Sequence, residues 1–190
     1  MQLDETSKKT VKYSALYFFL YCPLGVVCPF IGQYLTHIGF TGTQVGLITS
    51  FGTGTAILAG IFWGQVYSNS KHKRWIIGLM CLSAAVLAIL STGTRIFAVY
   101  TIIYSGMYFF QGPLHGLCDA LILSKKGNFS TIRSFGAVGY ALAVFTAGEI
   151  AEEMGLKNIF YIYALAYVVT FALIISEQEP PYERPAGEKI

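Results

Sequence analysis

Residues 96–123 read IFAVYTIIYSGMYFFQGPLHGLCDALIL. The stretch holds one charged side chain, Asp119, and is longer than a single hydrocarbon crossing, which takes roughly 20 helical residues for a core about 30 Å thick. A backbone in lipid must satisfy its own hydrogen bonds, and a continuous apolar run does so as a helix. A transmembrane β-strand would instead alternate over about ten residues. This stretch therefore predicts a membrane-spanning helix.

The rest of the chain repeats the pattern. Apolar segments at 13–36, 44–67, 74–93, 132–152 and 158–176 join 96–123 to make six, separated by short polar connectors. The mean hydropathy is +0.56, and only 12% of residues are charged, outside the range of soluble domains. The expected fold class is an all-α membrane protein, with a tail at 1–12, a six-helix bundle at 13–176 and a second polar tail at 177–190. The first apolar run is too long for a signal peptide and follows a mixed-charge tail. Cys22, Cys28, Cys81 and Cys118 lie within apolar runs without paired spacing, which predicts buried thiols and neither disulfides nor metal ligands. No metal site, cofactor or nucleotide-binding loop is expected.

Lys8, Lys9, Lys12, Lys71, Lys73, Arg74, Lys125, Lys126, Arg133, Arg184 and Lys189 fall on one side of the alternating connectors, against Arg95 and Lys157 on the other. By the positive-inside rule both termini are cytoplasmic and the protein is a multi-pass protein of the plasma or inner membrane. The net charge of +3 reflects this topology and calls for no nucleic-acid partner.

An internal repeat is also visible. Tyr17-Phe18-Phe19, Pro23-Leu24 and Cys28 recur as Tyr108-Phe109-Phe110, Pro113-Leu114 and Cys118; Ser50-Phe51-Gly52 recurs as Ser134-Phe135-Gly136. Offsets of 84 to 91 residues fit two triplets of helices. Because three is odd, the second triplet is inverted relative to the first.

Chemistry-bearing side chains concentrate on few faces. Tyr100, Tyr104, Tyr108, Gln111, His115 and Asp119 share one helical face, which lipid gives no reason to be polar. The stripe predicts a helix facing protein or a water-filled cavity, bent near Gly112-Pro113. Asp119 and Arg133 read either as an ion pair clamping two helices or as substrate and proton chemistry. His115, one turn from Asp119, reads as a relay partner or as a hydrogen-bonded tether. Tyr140 lies on the face of Arg133, so that a guanidinium and a ring could receive a planar or sugar-like ligand. Tyr13, Tyr17, Tyr21 and Cys28 form a similar stripe in the first helix, with an interfacial belt as the reading for Tyr13 and aromatic packing as the simpler reading for the rest. Gly52, Ala56, Gly60 and Gly64 recur every four residues, as a helix-packing face or a sliding surface. Lys71-His72-Lys73-Arg74 is by itself a positive-inside anchor.

Taken together these residues resemble the major facilitator superfamily, in the branch containing lactose permease, nucleoside/proton symporters and phenylpropionate permease. Tyr17-Phe18, Pro29-Phe30, Tyr34-Leu35 and Gly46-Leu47 look like its first two helices, Pro113-Leu114 and Asp119-Ala120 like its fourth. Arg133, Gly136 and Gly139-Tyr140 look like its fifth, the most specific match. The whole chain corresponds to the N-terminal six-helix half of that fold.

The resemblance implies proton-coupled symport of a small organic solute, sugar- or nucleoside-like, by alternating access against a second six-helix half. It places Asp119, Arg133 and Tyr140 where lactose permease binds sugar through an acid, an arginine and a stacking aromatic, although the acid there is Glu. Gln111, Tyr108, Tyr17 and Tyr21 are further substrate-contact candidates, and His115 and Asp119 are proton-coupling candidates. Gly60, Gly64, Lys73 and Arg74 correspond to the family's conformational loop, but Ser68-Asn69 stand where it carries Asp-Arg. The expected partners are the bilayer, a solute with protons, and the second half. The alternative is a non-transporting half or assembly partner. An intramembrane enzyme has no support, since no catalytic carboxylate pair or Ser/His arrangement is present.

Overall fold

The computed structural model describes residues 2–123 and 129–176, with side chains from residue 10 onward. The side chains of Lys8 and Lys9, and all of Lys125, Lys126, Arg184, Lys189 and the 177–190 tail, lie outside the described residues. The described residues form α1 (Gln2–Val27), α2 (Ile31–His37), α3 (Gly42–Asn69), α4 (Lys73–Ser91), α5 (Phe97–Gln111), α6 (Leu114–Leu123), α7 (Phe129–Met154) and α8 (Ile159–Ile175), with a single 3-10 turn at Leu156–Asn158. No strand occurs among them.

Among the described residues five segments are long and apolar enough to cross a membrane: Thr10–His37, Gly42–Asn69, Lys73–Ser91, Phe129–Met154 and Leu156–Ile175. The segment expected as one helix over 96–123 is instead two, α5 and α6. Pro113 offers no N–H to the preceding turn, so the ladder stops at Gly112, whose N–H still reaches the Tyr108 carbonyl at 2.8 Å, and restarts from the Pro113 carbonyl to Leu117 N–H at 3.0 Å. The first segment is interrupted in the same way at Cys28-Pro29-Phe30, between α1 and α2. It also begins at Gln2 and not near residue 13, because hydropathy marks where lipid begins and places no limit on a helix that continues into water.

Connectors follow local chemistry. Thr41 caps α3 reciprocally with Gln44: the Gln44 N–H reaches Thr41 Oγ1 at 3.4 Å and the Thr41 N–H reaches Gln44 Oε1 at 3.0 Å. Gly39 and Gly155 turn the chain before α3 and after α7 at φ of +102° and +94°, where a side chain would be strained.

The bundle packs α1 against α7 and α8, α3 against α5, and α4 against α5 and α8. Its core is aromatic: Tyr17, Tyr100, Tyr104, Tyr163, Tyr167 and Phe160 are fully buried. Glycines let the helices approach. A Cβ at Gly25 would stand 2.5 Å from the Tyr140 carbonyl oxygen, and one at Gly139 would collide with the Phe18 carbonyl. The remaining apolar surface points outward, through Trp75, Leu79 and Val86 of α4, Leu165 and Val168 of α8, and long runs on α3 and α7. An outer surface this apolar suits lipid or another helix, not water.

Candidate functional site

Asp119 sits in the middle of α6 with its side chain 21% exposed. Two helices distant in sequence converge on it. Tyr17, from α1, donates its hydroxyl to Asp119 Oδ1 at 2.5 Å. Arg133, one turn into α7, places Nη1 3.5 Å from Asp119 Oδ2, with its own side chain 57% exposed. The two carboxylate oxygens thus have different partners, one buried phenol and one exposed guanidinium. The acid ties α1, α6 and α7 together, and only the Arg133 side opens outward.

Aromatic rings frame this cluster. Tyr21 stacks on Tyr17 at 6.2 Å and 23°, and meets the His115 ring edge-on at 4.6 Å. Phe129 presents itself edge-on to Tyr17 at 6.1 Å and lies beneath the Arg133 guanidinium at 5.9 Å. His115 bonds the Leu20 backbone, while its Nε2 is buried with no hydrogen-bond partner among the described residues. Gly136 makes room for Tyr21: a Cβ there would stand 2.8 Å from the ring.

Other expected site residues are placed elsewhere. Gln111 is 2% exposed, and its amide oxygen accepts the Tyr163 hydroxyl at 2.7 Å, within the bundle core. Tyr108 is half-buried, packed on Tyr104 at 4.8 Å, with its hydroxyl 3.9 Å from Cys28 Sγ. The stripe on the 96–123 segment therefore divides. Tyr100, Tyr104 and Gln111 face the core, while Tyr108, His115 and Asp119 are only partly buried. Tyr140 is half-buried, two turns along α7 from Arg133.

At the connector between α3 and α4, Lys73 lies over the Tyr67 ring at 5.3 Å and Arg74 Nη1 donates to the Ile175 carbonyl at 3.3 Å. Lys12 Nζ donates to the neighbouring Ser176 carbonyl at 3.1 Å, so two cations meet the negative end of α8. Of the small residues on α3, Gly52 packs on Tyr104 and Ala56 on Gly112, whereas Gly60 and Gly64 have nothing within 4 Å. Phe129 escaped the sequence reading because it precedes the expected start of its helix; its place four residues before Arg133 is the signal that could have found it. Among the described residues no group of His, Cys, Asp or Glu could hold a metal ion. All four cysteines are free, and three are buried as expected, but Cys28 is exposed, because it lies at the break between α1 and α2 and not within a packed helix.

Comparison with known proteins supplies the context for this arrangement. The chain is 30% identical over 193 residues to the maltose permease of Geobacillus stearothermophilus, covering 95% of this chain and 47% of that protein. It is 26% identical over 175 residues to the uncharacterized transporter YwbF of Bacillus subtilis (strain 168), covering 87% of this chain and 43% of the other. To the sucrose permease of Escherichia coli it is 30% identical over 128 residues, covering 59% of this chain and 30% of that protein. The chain spans about half the length, or less, of these curated relatives. They are transporters, not enzymes, and the profile of the MFS_1 like family matches residues 10–188. Apolar helices and matched family together make this a multi-pass membrane protein of a transporter family and not an enzyme. The chain belongs to the MFS_1 like family, within the major facilitator transporters.

Proposed function

We propose that this chain forms one six-crossing half of a secondary transporter that carries a small organic solute, sugar- or nucleoside-like, in symport with protons. The observation that carries the reading is the Asp119 carboxylate held between a buried phenol and an exposed guanidinium. An acid and a base at one opening can exchange their mutual contact for contacts to a hydroxylated solute. A carboxylate in that place can also take up and release a proton. Similarity to a maltose and a sucrose permease favours a saccharide.

In this reading α5 and α6 together make one crossing, giving six, with both termini in the cytoplasm of a cell whose plasma or inner membrane houses the protein. The packing supports the inverted repeat. Exchanging the first three segments for the last three turns the α1–α7 contact into α5–α3 and the α1–α8 contact into α5–α4, and returns α4–α8 to itself. The matching glycines behave alike: Gly136 lies on Tyr21 and Gly52 on Tyr104. Alternating access then requires a second six-helix half against the open face of α3, where Gly60 and Gly64 are uncovered. Tyr17, Tyr21, His115 and Tyr140 surround or support the site, with Asp119 and His115 handling the proton.

The test is uptake of maltose, sucrose and a nucleoside by vesicles containing the complete transporter, this chain together with its second six-helix half, with and without an inward proton gradient. Gradient-dependent uptake that Asp119→Asn abolishes is the expected result. A second reading, a half that assembles without transporting, is favoured by Ser68-Asn69, the last two residues of α3, standing where the resembling family carries Asp-Arg. No gradient-dependent uptake of any of the three solutes, with Asp119→Asn unchanged in stability, would favour that reading.

A further inference from the structure

Tyr17 shares its spacing with the rings expected to line the cavity, yet it is 0% exposed, and a solute cannot reach it without repacking the bundle. Its ring is held by Tyr21 on one face and by the edge of Phe129, so the hydroxyl has little freedom. That hydroxyl meets Asp119 Oδ1 at 2.5 Å, the length of a charge-assisted O–H···O⁻ bond. The opposite oxygen meets Arg133 at 3.5 Å, long for an N–H···O bond, from a side chain that is 57% exposed. The two contacts are unequal: one is short and comes from a fully buried ring, the other is long and comes from a half-exposed side chain.

We propose that Tyr17 is a positioning residue that anchors Asp119 through Oδ1, leaving Oδ2 and the Arg133 guanidinium as the exchangeable pair a solute enters. The solute part rests on the transporter reading above; the anchoring part does not. A solute with two neighbouring hydroxyls fits such a pair, donating one O–H to Oδ2 while the other oxygen accepts from the guanidinium. Breaking the long contact gives up little, and the short one stays in place throughout. Without the Tyr17 hydroxyl, the carboxylate can rotate toward Arg133 and close the pair on itself. Tyr17→Phe therefore weakens solute binding although Tyr17 never touches the solute.

The experiment is infrared spectroscopy of the full chain reconstituted in phosphatidylcholine vesicles, with Asp119→Asn subtracted to isolate the Asp119 carboxylate bands. In Tyr17→Phe these bands shift clearly, and in Arg133→Gln they shift less. Replacing Tyr17 by 3,5-difluorotyrosine, which keeps ring and hydroxyl but makes a stronger donor, shifts them in the opposite sense and covers the case in which Tyr17→Phe does not fold. Bands that stay in place in both Tyr17 variants overturn the anchoring. Saturating maltose or sucrose should move the bands of the unaltered protein and leave those of Arg133→Gln still. Maltose uptake by the complete transporter, this chain with its second six-helix half, should show KM raised about tenfold in Tyr17→Phe, roughly the loss of one charge-assisted bond, with Vmax within about twofold. Bands that respond to Tyr17 but to neither sugar uphold the anchor, and overturn the exchangeable pair and the saccharide reading with it.

Discussion

Gln111 shows how one residue changes meaning when its neighbours are known. Its spacing with Asp119 groups it with the cavity, but the Tyr163 hydroxyl occupies its amide oxygen in the core. Tyr163→Phe should leave that acceptor buried without its donor and cost about 1–3 kcal/mol, read as a lower Tm in detergent. Gln111→Leu, which removes the acceptor and in turn strands the phenol, should cost a similar amount and leave solute affinity unchanged; a large rise in KM would return Gln111 to the solute path. Asp119 and Arg133 were visible as a pair because intramembrane charges are rare enough to seek each other. The bond from Tyr17 was not visible, since a tyrosine in an apolar run reads as packing until its hydroxyl is located.

At the scale of the element, hydropathy delimits the lipid-facing length and the backbone decides continuity. Pro113 breaks the 96–123 segment because a missing N–H cannot be supplied by lipid, and Pro29 coincides with the break between α1 and α2. The glycines of α1 and α7 do the complementary work. Gly139→Ala puts a methyl group against the Phe18 carbonyl, and the helices must part to admit it. The expected cost is about 1–3 kcal/mol from overpacking against backbone, measured as a fall in Tm, with Gly25→Ala behaving alike. Gly60→Ala and Gly64→Ala, which meet open space, should instead stabilise the isolated chain slightly or leave it unchanged. If all four glycines responded equally, the division between packed and open faces would be wrong.

For the whole molecule, two predictions concern what surrounds the bundle. Gly60→Trp should leave the Tm of this chain nearly unchanged, yet abolish uptake by the complete transporter if a second half lies against α3. In a Cys28→Ser background, Lys157→Cys should be labelled by an impermeant maleimide from outside cells and Lys71→Cys only after lysis; the reverse pattern would overturn the orientation. The sequence alone determined that the chain is helical and membrane-bound, and that Asp119 and Arg133 carry the unusual charge. These follow from desolvation, a cost counted residue by residue along the chain. Tertiary structure alone decided which helix lies against which, that Gln111 belongs to the core, and that Tyr17 holds the carboxylate. A helix repeats its faces every few residues, so local spacing states which side chains share a face. What that face meets depends on contacts between residues about a hundred positions apart, such as Tyr17 and Asp119, which no local period encodes.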